Sequence, residues 1–285
     1  MKYQKFVNKK VQCLICPRKC LLNEGQQGFC KVRANINNEI KLLTYGHTTG
    51  FSLDNIEKKP LYHFLSGTKT LSFGTQGCCM GCLFCQNHHI TKTDFNLNFL
   101  TNASPNTVIE LTKKYNCPSI SFTYNEPIIF FEYALDIAKL AHKNNIKTVM
   151  VTSGYINPKP REEIFQYIDA TNIDLKGFSE QFYAKNCLAH IEPVLDTIKY
   201  VHDHTNCHIE LTTLLIPNEN DDKTMLEKEC KWIVENVGCE VPLHFSRFFP
   251  RYKYLNYEQT PLKSLKLAYD IAKQCGIKYV YLGNI

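Results

Sequence analysis

The sequence predicts an α/β protein in which a parallel sheet is covered by helices. From about residue 68 onward, six or seven short runs with strand character alternate with segments of helical periodicity. The connections between the runs are long enough to hold a helix each, as in consecutive βαβ units. Six or seven strands are too few for a complete eight-unit barrel. A partial barrel and an open doubly wound sheet both satisfy this pattern.

The elements follow one another at regular spacing along the chain. Strands are predicted at residues 69–73, 120–123, 148–152, 170–175, 208–216, 241–245 and 278–282. Helices are predicted from residue 105 and at residues 127–143, 160–168, 191–201, 221–237 and 261–275. In both candidate folds the ligand site lies at the carboxyl ends of the strands. The residues that follow each strand are therefore the candidates for chemistry.

Residues 1–66 have a different pattern. They hold four cysteines and a predicted hairpin over residues 32–36 and 39–44, which turns at Asn37-Asn38. The sequence therefore predicts two parts. Residues 1–66 form an N-terminal four-cysteine metal-binding segment with a hairpin, and residues 67–285 form the α/β domain.

The overall composition is that of an ordinary soluble globular protein. The 285 residues are 44% hydrophobic and 21% charged, with a net charge of +6. Lysine and arginine are scattered, without the basic stripe of a nucleic-acid-binding protein. No apolar run approaches the roughly 20 residues that cross a bilayer, and no signal-peptide core follows the basic start. We expect a cytoplasmic protein that binds neither nucleic acid nor membrane.

The fourteen cysteines are unevenly distributed. Eight of them fall into two clusters, and in a reducing compartment such clusters indicate metal binding or catalysis rather than disulfides. The other six are scattered singly, as expected for small buried hydrophobic residues. The clusters are Cys13, Cys16, Cys20 and Cys30, and Cys78, Cys79, Cys82 and Cys85.

The second cluster directly follows the first predicted strand, where an α/β active site belongs. Its spacing is Cys78-x3-Cys82-x2-Cys85. Three thiolates can hold three corners of a [4Fe–4S] cubane and leave the fourth iron open. The alternative is structural zinc, which would complete its shell with a fourth ligand such as His88 or His89.

With the aromatic Phe84 before the last cysteine, this spacing resembles the signature of the radical S-adenosylmethionine (SAM) superfamily. Within it, the chain is similar to the pyruvate formate-lyase activating enzyme group, and most similar to the radical SAM enzymes of the AmmeMemoRadiSam system. The segments that carry the resemblance are residues 13–30, 56–64, 77–87, 123–127, 212–217 and 244–248.

The resemblance implies a fold, a chemistry and a set of partners. The fold is a partial (β/α)6 barrel of radical SAM type with a small N-terminal cysteine-rich segment. The cofactors are a [4Fe–4S] cluster on Cys78, Cys82 and Cys85, and SAM. The oxidoreductase-like reaction is reductive cleavage of SAM to a 5′-deoxyadenosyl radical, which removes hydrogen from a substrate. The implied partners are an electron donor such as ferredoxin or flavodoxin, and either a protein substrate or Memo-like and AMMECR1-like proteins.

Further site residues are implied by the same resemblance. Asp174 and Lys176 match the Asp-x-Lys of the activating enzymes, and Lys176 would direct its charge to the methionine carboxylate or the substrate. The other implied cofactor contacts are Phe84 over the cluster, Glu126 near the methionine amino group, Thr152, Ser153 and Gly154 at the ribose, and His244 near the adenosine.

Three positions depart from the family's pattern. The glycines that often precede the glutamate at position 126 are absent. Val151 stands where the activating enzymes tend to have Asp, and Cys79 stands where Asn is usual. Ligation by Cys79, Cys82 and Cys85 is an alternative whose spacing does not match the signature.

The first cluster, Cys13-x2-Cys16-x3-Cys20-x9-Cys30, offers four thiolates with basic residues nearby. A structural zinc suits so small a segment, since metal binding supplies order that a small core cannot. A second Fe–S cluster and metal-free thiols are the alternatives.

Two other functions remain open. One is a glycyl-radical-enzyme activating enzyme, a variant of the same chemistry. The other is a non-catalytic Fe–S or zinc protein with an electron-transfer or structural role. It accounts for the cysteines but not for the polar residues at the strand ends.

Overall fold

The structure is a computed structural model that describes residues 2–285. The strands are β1 Gln4–Val7, β2 Lys10–Cys13, β3 Leu21–Leu22, β4 Arg33–Ile36, β5 Glu39–Leu42, β6 His47–Thr48, β7 Phe51–Asn55, β8 Lys69–Phe73, β9 Thr101–Asn102, β10 Ser119–Phe122, β11 Lys147–Thr152, β12 Ala170–Asp174, β13 His208–Leu215, β14 Leu243–Arg247 and β15 Val280–Gly283. The helices are α1 His88–Thr91, α2 Pro105–Lys114, α3 Phe131–Lys143, α4 Pro158–Ile164, α5 Glu180–Phe182, α6 Glu192–His204, α7 Lys223–Val237 and α8 Leu262–Gln274.

The main sheet has eight strands in the order β15-β14-β13-β12-β11-β10-β8-β7. All neighbours are parallel except β7, which is antiparallel to β8. Strand order follows chain order without reversal, and this excludes the doubly wound alternative, whose order reverses at a switch point. Helices α2, α3, α4, α6, α7 and α8 make the six crossovers. The predicted partial (β/α)6 barrel is confirmed, with a seventh parallel strand after the sixth unit.

The strands form where the sequence predicts them because their side chains are buried. All four residues of β10 are buried, between the helices on one face and the sheet interior on the other. On the helix-facing side Phe73, Phe122, Phe130 and Tyr133 pack with ring centroids 5.6–6.5 Å apart. Burying each such ring contributes about 2–3 kcal/mol, so this aromatic cluster fastens α3 to the sheet.

Helix starts agree with the local signals, with one difference. The predicted start at residue 105 is confirmed, because the Ser104 hydroxyl accepts a hydrogen bond from Thr107 N–H and Pro105 opens α2. The helix predicted over residues 127–143 begins as a 3₁₀ turn at Pro127–Phe130 and becomes α-helical only at Phe131. At this start the Glu126 side chain accepts from Ile128 N–H.

The segment that follows β7 packs against the amino-terminal halves of the central strands. Ile56 and Leu61 pack with Val149 of β11 and Ala170 of β12. The Asn172 side-chain amide donates to Pro60 O at 2.8 Å. These contacts give the sheet interior a closed floor below its carboxyl ends.

A buried carboxylate anchors this floor to β13. Glu210 is fully buried and accepts hydrogen bonds from His63 N–H at 2.8 Å, His208 Nε2 at 3.0 Å and His244 Nε2 at 2.6 Å. Burial alone would raise its pKa, but these hydrogen bonds lower the pKa of Glu210 to about 2. The carboxylate is therefore ionised throughout the neutral range.

The N-terminal part forms small antiparallel sheets. β1, β2 and β3 form one, and β4 and β5 form the predicted hairpin, which turns at Asn37 (φ 54°) and Asn38 (φ 59°). β7 belongs to the main sheet, and the division of the chain after residue 66 stays a prediction. No helix within residues 2–285 is long and apolar enough to cross a membrane.

Replacing Glu210 with Gln should lower the free energy of unfolding by about 2–3 kcal/mol at pH 7, since charge-assisted hydrogen bonds to a buried carboxylate are lost. The folded-state pKa lies below the unfolded value of about 4.3, so this contribution is present above pH 4.3 and is lost as the pH falls toward 2. Urea unfolding at several pH values measures it. A constant wild-type minus Glu210→Gln difference between pH 6 and pH 3 would contradict this account, and Glu162→Gln, at an exposed position, is the control.

Candidate active site

A cavity of about 400 Å³ lies at the carboxyl ends of the parallel strands. Its lining comes from the ends of all seven of them, as expected for this fold. The lining residues are, after β8, Cys78, Cys82, Phe84 and Cys85; after β10, Thr123 and Glu126; at β11, Thr152 and Ser153; at β12, Asp174 and Lys176; on β13, Thr212; on β14, Ser246; and after β15, Asn284. The structure thus brings together most of the predicted site residues.

The loop that carries the three cysteines is held on both sides by backbone hydrogen bonds. Gly77 N–H donates to Ile90 O at 2.8 Å, Gly81 N–H to Cys187 O at 2.7 Å, and Leu83 N–H to Asn186 O at 2.9 Å. The last two bonds join the loop to the π-helical turn Tyr183–Cys187. These main-chain contacts fix the backbone of the cysteine loop.

Phe84 lies between the cysteine loop and the aromatic rings of Phe182 and Tyr254. Its ring is 4% exposed and packs 6.1 Å from Phe182 and 6.0 Å from Tyr254. Because Phe84 also lines the cavity, it presents an apolar surface beside the thiols.

Electrostatics favour a thiolate in this loop. A hydrogen bond from the Cys187 thiol, opposed by burial and reinforced by the nearby Lys176 and Lys92, lowers the pKa of Cys82 to about 6. Hydrogen bonding from Cys79 lowers the pKa of Cys78. Burial raises the pKa of Cys85.

Lys176 and Asp174 form an ion pair on the cavity wall, with Nζ and Oδ2 2.8 Å apart. Burial disfavours the charged lysine, but Asp174 and the Cys82 thiol outweigh it and raise the pKa of Lys176 well above its ordinary value. The cavity therefore contains a fixed positive charge beside a thiolate.

Glu126 joins the ends of β10 and β11. Its carboxylate accepts from Ser153 N–H at 2.8 Å, from both the Ser153 and Thr152 hydroxyls, and from Ile128 N–H at 3.3 Å. Burial raises the pKa of Glu126, and these hydrogen bonds counteract it. Gly154 N–H in turn donates to the Thr152 hydroxyl at 3.0 Å.

Two predicted cofactor contacts do not line the cavity. Gly154 lies beyond the Thr152 and Ser153 wall. His244 is buried beneath the cavity, bonded to Glu210, with its ring 4.8 Å from Tyr62. Their predicted contacts with ribose and adenosine stay predictions.

Asn125 is a site residue that the sequence reasoning missed. Its buried side-chain amide donates to the Thr75 hydroxyl and Gly77 O at 3.0 Å, and its oxygen accepts from Thr75 N–H at 2.9 Å. It therefore orients the start of the cysteine loop from the neighbouring strand. The only signal in the sequence was an asparagine next to Glu126 just after a predicted strand.

The N-terminal cysteines lie elsewhere, around a separate cavity of about 20 Å³. Cys13, Cys16, Cys20 and Cys30 all line it, together with Cys79 and Arg33. Among residues 2–285 no cysteine is in a disulfide. Within the same residues, no three His, Cys, Asp or Glu side chains are close enough together to bind one metal ion. A [4Fe–4S] cluster does not require that arrangement, because its cysteines ligate different irons.

Comparison with known families decides the classification. The profile of the Radical SAM superfamily matches residues 73–228, which is more than half of the chain and includes the cysteine loop. The chain belongs to the radical SAM superfamily. It is therefore a radical SAM enzyme, and its cofactors are a [4Fe–4S] cluster and S-adenosylmethionine. Three thiols on one cavity wall, one of them acidic, fit such a cluster.

Relatives of this radical SAM protein include an uncharacterized protein of Methanocaldococcus jannaschii, 40% identical over 100% of this chain and 84% of the relative. The solved structures that share the fold include the following two. A radical SAM methyltransferase from Sphaerobacter thermophilus matches 77% of this chain and 67% of its own, with a TM-score of 0.60 and 13% identity. A domain of pyruvate-formate lyase-activating enzyme from Bacteroides vulgatus matches 57% and 98%, with a TM-score of 0.50 and 16% identity.

Gly77, directly before the first cysteine, should tolerate no side chain. Its φ is +85°, and a Cβ atom there would stand 2.2 Å from Cys30 O, a backbone atom that cannot yield easily. Gly77→Ala should therefore cost several kcal/mol in the free energy of unfolding, well above the roughly 1 kcal/mol of a left-handed alanine alone. Gly46→Ala is the matched control, because its φ is +75° and nothing lies within 4 Å. Chemical denaturation measures both, and equal losses would show that the contact with Cys30 is unimportant.

Proposed function

We propose that this protein reductively cleaves S-adenosylmethionine on a cluster held by Cys78, Cys82 and Cys85, and that the cavity above them positions a substrate for hydrogen abstraction. These three cysteines would hold the cluster, which in its reduced state would supply one electron for cleavage of the sulfonium to methionine and a 5′-deoxyadenosyl radical. The observation that carries the proposal is the convergence of these three thiols on one cavity with the Lys176–Asp174 pair.

The chain's own residues account for binding and orientation. Cys82 is ready to act as a thiolate ligand at neutral pH. Lys176 offers a cation to the methionine carboxylate, and Asp174 keeps that cation in place. Thr152 and Ser153 line the cavity and are held by hydrogen bonds to Glu126, so they are placed for the ribose, with Glu126 near the methionine amino group.

The apolar wall at Phe84 limits the access of water to the cluster. Its ring is almost fully buried between aromatic neighbours and so cannot move aside easily. Exclusion of water lets the protein's fixed charges act strongly on the bound cofactor.

The N-terminal cysteines are proposed to hold a second metal, zinc or an Fe–S cluster, in the four-cysteine segment of residues 1–66. The substrate proposal follows the family resemblance: an unidentified molecule handled together with Memo-like and AMMECR1-like partners. Activation of a glycyl-radical enzyme is the alternative, supported by the Asp174–Lys176 pair and the shared fold with the activating-enzyme domain. Electron paramagnetic resonance of a glycyl radical on a candidate partner would separate the two.

Reconstituted anaerobically with iron and sulfide and then reduced with dithionite, the wild type should convert S-adenosylmethionine to 5′-deoxyadenosine. Cys82→Ala should reduce the product to the level without protein, because the cluster loses one of three ligands. Liquid chromatography of the nucleoside and iron analysis measure the two effects. Cys207→Ala, which removes a buried thiol away from the cavity, should leave both unchanged. A wild type that assembles its cluster but forms no nucleoside would favour the electron-transfer or structural role.

Lys176→Met should raise the S-adenosylmethionine concentration at half-maximal 5′-deoxyadenosine formation about 10- to 100-fold, the loss expected for one charge-assisted hydrogen bond. Iron content should not change, because Lys176 is not a proposed ligand. Lys199→Met is the control, since Lys199 pairs with Asp203 on an exposed helix face. An unchanged concentration dependence would remove Lys176 from the cofactor site.

A further inference from the structure

The two cysteine clusters of the sequence meet at one residue, Cys79. This cysteine belongs to the second cluster by position, yet it lines the small cavity of Cys13, Cys16, Cys20 and Cys30 and not the large cavity of Cys78. It is fully buried. The small cavity therefore has five thiols on its wall rather than the four that the N-terminal spacing indicates.

Contacts to main-chain atoms join the N-terminal cysteine segment to the loop of Cys78–Cys85 near Cys79. Arg18, between Cys16 and Cys20, donates from Nε to Cys79 O and from Nη2 to Leu188 O. The backbone of Gly77 packs against Cys30 O so closely that only glycine fits. On the other side, Asn157 donates from its side chain to Cys16 O at 3.0 Å. The N-terminal thiols are thus docked directly behind the loop that carries the catalytic cysteines.

We propose that Cys79 is a member of the N-terminal thiol site, and that this five-thiol site binds a thiophilic metal centre adjoining the catalytic cluster. The proposal extends the N-terminal metal site and is independent of S-adenosylmethionine cleavage. Consecutive residues, Cys78 and Cys79, then belong to two different centres.

The charges around the small cavity suit bound thiolates. Arg33 lines it with a side chain only 3% exposed, and its guanidinium pairs with both carboxylate oxygens of Glu132 and donates to Ile129 O at 2.8 Å. Besides pairing with Glu132, this buried cation offsets part of the negative charge of a thiolate-bound centre.

The thiol of Cys79 also has contacts in both directions. Its side chain is hydrogen-bonded to Cys16 and to Cys78. Cys79 therefore forms a continuous thiol contact from the N-terminal site to the first proposed ligand of the catalytic cluster.

The shared chemistry of the bound centre is ligation by several thiolates, which an iron–sulfur cluster satisfies on different irons and zinc only after the thiols converge on one ion. A double variant, Cys82→Ala/Cys85→Ala, removes the catalytic cluster and leaves the small cavity intact. Purified anaerobically, with one sample loaded with zinc and another with iron and sulfide, it should retain about one centre per chain. Elemental analysis, together with the absorption and paramagnetic spectra after reduction, distinguishes the two metals.

In this double-variant background, Cys79→Ala and Cys79→Ser should each weaken retention of the centre at least tenfold in competition with a chelator. Cys207→Ala in the same background is the control and should not. Thermal unfolding in the absence of metal checks that the Cys79 variants fold. Cys79→Ser keeps a side chain of similar size, so it separates loss of the thiol from the void that alanine leaves. In the otherwise wild-type chain, Cys79→Ala should leave the S-adenosylmethionine-binding cluster assembled, as judged by its paramagnetic signal.

The proposal is overturned if the double variant retains no metal in either arm, or if the Cys79 variants hold it as tightly as the Cys207 control. It is also overturned if Cys79→Ala abolishes the catalytic cluster while the N-terminal metal stays bound, because Cys79 would then belong to the other site. None of these results depends on 5′-deoxyadenosine formation, so failure here and failure of the proposed function are separable.

Discussion

The position of the cysteine loop depends on the buried amide of Asn125. The loop of residues 77–85, with four cysteines and two glycines, has little stiffness of its own, so its shape must come from its neighbours. Asn125 follows β10 and bonds to both Thr75 and Gly77, and the turn Tyr183–Cys187 bonds to Gly81 and Leu83. The cysteines are thus preorganised by groups on other strands, as a functional site requires.

The fold was predictable from the sequence because it depends on periodicity. β8 was predicted with its observed bounds, and the other parallel strands within about two residues, since each is a short buried run. The order of the strands was not predictable from periodicity alone, because a partial barrel and a doubly wound sheet share the same alternation. The floor formed around Ile56 and Leu61 was also missed, since its contacts are with strand residues 88 to 114 positions further along the chain.

The site was predictable only where spacing or strand position carries information. Cys78, Cys82 and Cys85 reach one cavity, and so do the strand-end residues Lys176 and Asp174. Other residues there depend on contacts across the sheet, which a sequence pattern does not contain. The carboxylate of Glu210 holds three donors in the sheet interior, and Cys79 lines a different cavity from Cys78, its neighbour in sequence.

The main sheet is an arc with two free ends, β7 and β15, that do not pair with each other. Lys58, just after β7, and Asn284, just after β15, both line the large cavity, one from each end of the arc. Strands therefore enclose most of the chamber, and the segment after β7 covers the gap, where His63 Nε2 lies 2.7 Å from the Tyr281 hydroxyl. Because no strand hydrogen bonds cross this gap, its width can change through side-chain movement without breaking the sheet.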